Sequence, residues 1–60
     1  PLRDLLAEMT SRLEREYLVK ALRKTRGHVG KAARLCGYSR RSVTGKLAEY
    51  GIDRNEFVEA

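Results

Sequence analysis

Sixty residues at 42% hydrophobic content supply about 25 apolar side chains, enough for one small core and one domain. A single Cys excludes an internal disulfide, and a single His beside it excludes a Cys/His zinc site. No apolar run approaches the roughly 20 residues that span a bilayer, and the N-terminus lacks the basic patch and apolar block of a secretory leader. The lone Cys fits a reducing, intracellular setting. The chain opens on Pro1 rather than Met, and the expectation is a piece cut from a longer protein. Chains this short need a staple or a partner. With disulfides and zinc set aside, dimerisation is the expected source of extra stability.

The net charge is +5, and its distribution says more than the total. Between Glu16 and Glu49 there is no acid, while Lys20, Arg23, Lys24, Arg26, Lys31, Arg34, Arg40, Arg41 and Lys46 all fall there. A basic run alone describes a solvated surface equally well. The sharper reading is an electrostatic footprint for a polyanion.

The expected elements are all helices, because Val and Ile are scarce and no segment alternates with period two. Leu2, Leu5, Leu6, Met9 and Leu13 recur at three- and four-residue spacings and form one apolar stripe. Tyr17, Leu18, Ala21 and Leu22 form a second stripe, rotated by roughly a third of a turn at 100° per residue. Either one helix carries two faces, or the chain bends between them. Ser11-x-x-Glu14 has the form of a capping box, which favours a break near Thr10-Ser11. Arg23, Lys24 and Arg26 followed by Gly27 mark a helix C-terminus. Val29, Ala32, Ala33 and Cys36 then give a short helix with a small-residue face, ended by Gly37-Tyr38. Ser39 is a good N-cap for the next helix, where Val43, Leu47 and Tyr50 mark the buried face and Gly51 the stop. Asp53-x-x-Glu56 is expected to cap one last turn carrying Phe57.

The informative unit runs from Val29 to Leu47. Ala32 and Ala33 let another helix cross closely, and Gly37 permits a sharp left-handed turn without Cβ strain. Tyr38 is expected to act as an apolar plug before the second, capped helix. This is the layout of a helix-turn-helix, whose second helix enters the major groove of DNA. Its outward face would then present Arg40, Arg41, Thr44 and Gly45 to base edges, where Arg can grip guanine O6 and N7 in bidentate fashion. Ser39, Ser42, Lys46, Lys31 and His28 are placed to meet phosphates, helped by free N–H groups at the start of the short helix. The plainer alternative is an ordinary helical hairpin with a basic surface.

The strings Leu13-Glu14-Arg15-Glu16-Tyr17-Leu18, Ala21-Leu22, Gly27-His28, Ala32-Ala33-Arg34-Leu35-Cys36-Gly37-Tyr38-Ser39-Arg40-Arg41-Ser42-Val43 and Lys46-Leu47-x-x-Tyr50-Gly51-Ile52 resemble a Fis-type helix-turn-helix domain. The resemblance covers about residues 11–52 and is greatest to the C-terminal domain of NtrC-class, sigma-54-dependent enhancer-binding activators of bacteria. It implies an all-α fold: a small bundle with a C-terminal helix-turn-helix that dimerises through its N-terminal helices. The implied homodimer presents two recognition helices to two half-sites of double-stranded DNA, and in full-length activators an AAA+ ATPase domain comes first. By motif position, Arg40 matches the family's base-contacting Arg, Ser42 its phosphate-contacting hydroxyl, and Lys46 its helix Lys. Gly45 departs from the pattern, since relatives usually carry Arg or Lys there, and Cys36 stands where Leu is usual.

One domain over residues 1–60 is therefore expected, with dimerisation helices over 1–25, the helix-turn-helix over 28–51 and a C-terminal tail over 52–60. Leu2, Leu5, Leu6, Met9, Leu13 and Tyr17 are the expected dimer seam. Cys36 reads as a core thiol, and Asp4, Glu8, Glu14 and Glu16 as solvated helix charges. A catalytic His28–Cys36 pair is disfavoured, because the two sit at opposite ends of one short helix with no third group to orient the His. No enzyme, cofactor, metal site or membrane partner is expected. The expected setting is the bacterial cytoplasm, at the nucleoid. Besides the activator domain, two readings stay open: a stand-alone Fis-like nucleoid protein that binds and bends DNA, and a helical protein-interaction module.

Overall fold

The computed structural model describes residues 1–58. Three α-helices, α1 (Leu2–Thr25), α2 (Val29–Cys36) and α3 (Arg40–Tyr50), are followed by a single 3-10 turn over Arg54–Phe57. The expected all-helical architecture is present, with one difference at the N-terminus. Helix α1 runs unbroken through Thr10-Ser11, so the capping-box reading of Ser11 and Glu14 is corrected. Residues 2–25 contain neither Gly nor Pro, and Leu, Ala, Met, Glu and Arg all favour the helix. Glu14 is drawn elsewhere, as described below.

One helix therefore carries both apolar stripes. Leu18, Ala21 and Leu22 face inward and join Ala32, Ala33, Val43, Leu47 and Phe57 in the core. Leu18, Leu22 and Val43 are its largest fully buried side chains. Tyr17 does not share their burial; it is 53% exposed, and its hydroxyl donates to the Leu35 carbonyl at 3.4 Å. The other stripe stands in the open: Leu2, Leu5, Leu6, Met9 and Leu13 are each more than half exposed. The molecule measures 40 × 20 × 17 Å, its long dimension close to the roughly 36 Å of a 24-residue helix.

The local punctuation lies where the sequence placed it. Gly37 adopts φ 75°, and the Tyr38 N–H reaches back to the Ala33 carbonyl at 3.0 Å, closing α2 and aiming the chain into α3. Ser39 Oγ accepts the Ser42 N–H at 3.0 Å, and Asp53 Oδ1 accepts the Asn55 N–H at 3.0 Å. Helix α1 ends one residue earlier than its glycine suggests, with Arg26 itself left-handed at φ 55°. Residues 52–58 pack back onto the bundle. Ile52 packs against the core, Phe57 is buried, and the Arg23 guanidinium lies 6.0 Å from the Phe57 ring centre.

Candidate nucleic-acid interface

Helices α2 and α3, joined through Gly37 and Tyr38, form the helix-turn-helix unit. Ala32 and Ala33 are completely buried beneath α3, whose own Val43 and Leu47 face them across the core. Small side chains on α2 give α3 a close seat, and that seat fixes which face of α3 looks outward. Arg40, Arg41, Ser42, Thr44 and Gly45 are all exposed. At 100° per residue, Arg41 and Gly45 lie farthest from the Val43–Leu47 face. Arg40 and Thr44 lie toward one flank, Ser42 and Lys46 toward the other. Thr44 Oγ1 donates to the Arg40 carbonyl at 2.9 Å. A Cβ on Gly45 would meet nothing within 4 Å, so the packing of the chain does not demand glycine there.

The residues expected at phosphates divide by the work they already do. Ser39 caps α3 and remains exposed. His28 caps α2, its Nδ1 accepting the Lys31 N–H at 3.1 Å. The Lys31 side chain is exposed one turn into α2. Lys46 is more constrained. Its Nζ lies 3.1 Å from Glu14 Oε1 and 5.6 Å from the Tyr38 ring centre. An ammonium has three donors, so this pairing leaves two.

Glu14 is the functional residue that sequence reasoning missed. Far from being a solvated helix charge, it accepts three side-chain hydrogen bonds. Tyr38 Oη donates at 2.6 Å, Tyr50 Oη at 2.5 Å and Lys46 Nζ at 3.1 Å. The phenols of Tyr38 and Tyr50, with a smaller contribution from Lys46, lower the Glu14 carboxyl to about 2. The same hydrogen bonds push both phenols and the Lys46 ammonium up. Glu14 thus ties α1 to the turn before α3 and to two turns of α3 itself. Tyr38 is accordingly no apolar plug; it is 40% exposed and acts through its hydroxyl. A signal was available: Glu14 precedes Leu18 by four residues and Ala21 by seven. A carboxylate on a core-facing stripe needs a partner.

Cys36 packs against the core but is only partly buried, and desolvation pushes its thiol up, away from the reactive thiolate. Among the described residues, no cluster of His, Cys, Asp and Glu could hold a metal ion. No helix there is long and apolar enough to cross a membrane.

Comparison with known proteins bears on this arrangement directly. Residues 11–50 match the family described as bacterial regulatory protein, Fis family. The DNA-binding transcriptional regulator NtrC of Escherichia coli strain K12 is 48% identical over 50 residues, which cover 83% of this chain and 11% of that protein. NtrC of Klebsiella pneumoniae is 46% identical over the same shares. The nitrogen fixation protein AnfA of Azotobacter vinelandii is 36% identical over 52 residues, covering 87% of this chain and 10% of its own. The chain thus spans about a tenth of the length of the curated relatives it matches. No solved structure is a significant match. The matched segment starts at Ser11, three residues before the Glu14 hub, and ends at Tyr50, the last of its partners; on this evidence the chain belongs to the Fis family of bacterial regulatory proteins.

Proposed function

We propose that this chain is the DNA-binding domain of a bacterial transcriptional regulator, working as a homodimer that lays α3 of each protomer in the major groove. The observation that carries this reading is the exposed, positive outer face of α3, held by its seat on α2 and by Glu14, in a member of this family. Arg40 and Arg41 supply donors matched to guanine edges, Thr44 reaches an adjacent base, and Gly45 leaves room for close approach. Ser39, Ser42, Lys31 and His28 meet phosphates and set the register, with Lys46 contributing the donors that Glu14 leaves. Leu2, Leu5, Leu6, Met9, Leu13 and Tyr17 form the seam between protomers. Two-fold symmetry then requires half-sites about one helical turn apart.

The small share of its relatives that the chain covers supports placing it inside a longer regulator with a preceding AAA+ ATPase domain. The family match alone would equally suit a short nucleoid protein that bends DNA. The mass of the native gene product separates the two.

The direct experiment selects a preferred duplex from random DNA and compares it with an unselected one. Arg40→Ala is expected to cost about 1–3 kcal/mol on the selected duplex and much less on the other. Equal losses on both would make the role of Arg40 electrostatic and remove base readout from it. Circular dichroism should show the helices intact, since Arg40 is exposed.

A further inference from the structure

Beside the outward flank of α3 lies a cleft of about 400 Å³ with walls from four places in the chain. Arg26 comes from the end of α1, His28 and Gly30 from the start of α2, Arg40 and Thr44 from α3, and Arg54 from the closing turn. Arg26 and Arg54 are distant in sequence and meet here for a definite reason. A Cβ at position 27 would fall 2.6 Å from the Arg54 carbonyl oxygen, so only glycine lets the closing turn seat against the 26–28 turn. Burial of Phe57 beneath Arg23 holds the turn in that seat. Neither Asp53 nor Glu56 lines the cleft, and the Asp53 carboxylate is occupied in capping the Asn55 N–H. The one ion pair among the described residues is Lys46–Glu14, on the other flank of α3. Three arginines and a histidine thus line one cleft, with no acidic side chain among its described lining residues.

We propose that this cleft seats a single phosphate of the DNA backbone, with Arg54 and Arg26 as its anchoring cations outside the helix-turn-helix. Guanidinium suits a phosphodiester because its planar fork can donate two parallel hydrogen bonds to one phosphate. Arg40 and Thr44 form the wall shared with the groove-facing surface, so the phosphate lies next to the bases that α3 reads. The closing turn then has a role in binding as well as in covering the core. This inference rests on the DNA-binding reading above and extends it to Arg54, which the family match, ending at residue 50, does not include.

The test uses Arg54→Gln and Arg54→Lys in the whole 60-residue chain, on the selected duplex across a range of salt. Arg54→Gln is expected to weaken binding roughly tenfold and to lower the salt slope by about 0.9, the value for one phosphate. Arg54→Lys should recover most of the slope. A scan of single neutral methylphosphonates along the duplex supplies the sharper readout. At one position the substitution should weaken the unmodified protein and leave Arg54→Gln unaffected. An unchanged affinity and slope in Arg54→Gln, with normal binding by the unmodified chain, overturns the seat and leaves the DNA-binding reading intact. A slope change with no methylphosphonate position silenced also overturns it, because the charge then acts diffusely. Failure of the unmodified chain to bind any duplex overturns both.

Discussion

The two halves of α1 both carry a stripe of large apolar side chains and end in opposite situations. From Leu18 onward the apolar positions are sealed in a core completed by α2, α3 and the closing turn. From Leu2 to Leu13 the same kind of stripe, made of five side chains, faces outward with none of the described elements laid over it. Propensity cannot explain the contrast, because the helix is continuous. Supply can: the two short helices and the turn have only enough apolar surface to cover one end of α1. The outer half keeps a contiguous exposed apolar stripe, the kind of surface that favours association, and this supports the proposed seam. Glu14 sits at the join, one turn before Leu18, and converts the end of the exposed half into an anchor for α3.

Matched truncations on either side of the join should separate the two halves most widely. Leu22→Ala opens a cavity in a fully buried site and is expected to cost about 2–5 kcal/mol, enough to unfold much of so small a domain. Leu6→Ala removes an exposed side chain and should change protomer folding by no more than about 0.5 kcal/mol, while weakening association. Urea denaturation at several protein concentrations checks both. If Leu6→Ala were as damaging at high dilution as Leu22→Ala, the outer half would belong to the protomer's own core and the comparison would fail.

Glu14 is the next point of attack. Its carboxyl is held at about 2 in the folded chain, below its ordinary value of 4.5. The stabilisation is therefore complete above pH 4.5 and is lost as pH falls from there toward 2. Glu14→Gln should cost about 1–3 kcal/mol near neutral pH and flatten stability across that acid window. An unaltered acid limb in Glu14→Gln would mean that the tyrosine–lysine cluster contributes little.

What the sequence disclosed, and what it hid, follows the range of the interactions. Ser39, Gly37, Gly51 and Asp53 were readable because each acts on backbone groups a few residues away. The helix-turn-helix was readable because the small-residue face of α2, its glycine turn and the capped α3 occur in one unbroken stretch. Glu14 was misread because Ser11-x-x-Glu14 imitates a local motif, while its actual partners lie 24, 32 and 36 residues onward. The cleft formed by Arg26 and Arg54 left no local trace either, since it depends on the closing turn seating against Gly27. Whether α1 breaks between its stripes could not be settled from periodicity, which registers the change of face equally well for a bend and for one straight helix.

Gly45 offers the smallest and most selective change. Its Cβ position is open, so Gly45→Ala should stabilise the helix by about 1 kcal/mol through propensity alone. In a domain this size that corresponds to a rise of roughly 4–8 °C in Tm. A fall in Tm would show that the exposed face of α3 is packed against something in the assembled protein. Because a Cβ on Gly45 meets nothing within 4 Å, its effect should be the same whether or not the chain carries Leu6→Ala.

Sedimentation equilibrium tests the central claim most directly. Across micromolar concentrations the chain should run at about twice its 6.9 kDa mass, and a variant carrying both Leu6→Lys and Met9→Lys should run as a folded monomer with the helical circular dichroism of the parent. A parent chain that remains strictly monomeric at high micromolar concentration, with its exposed leucine stripe intact, would contradict the account.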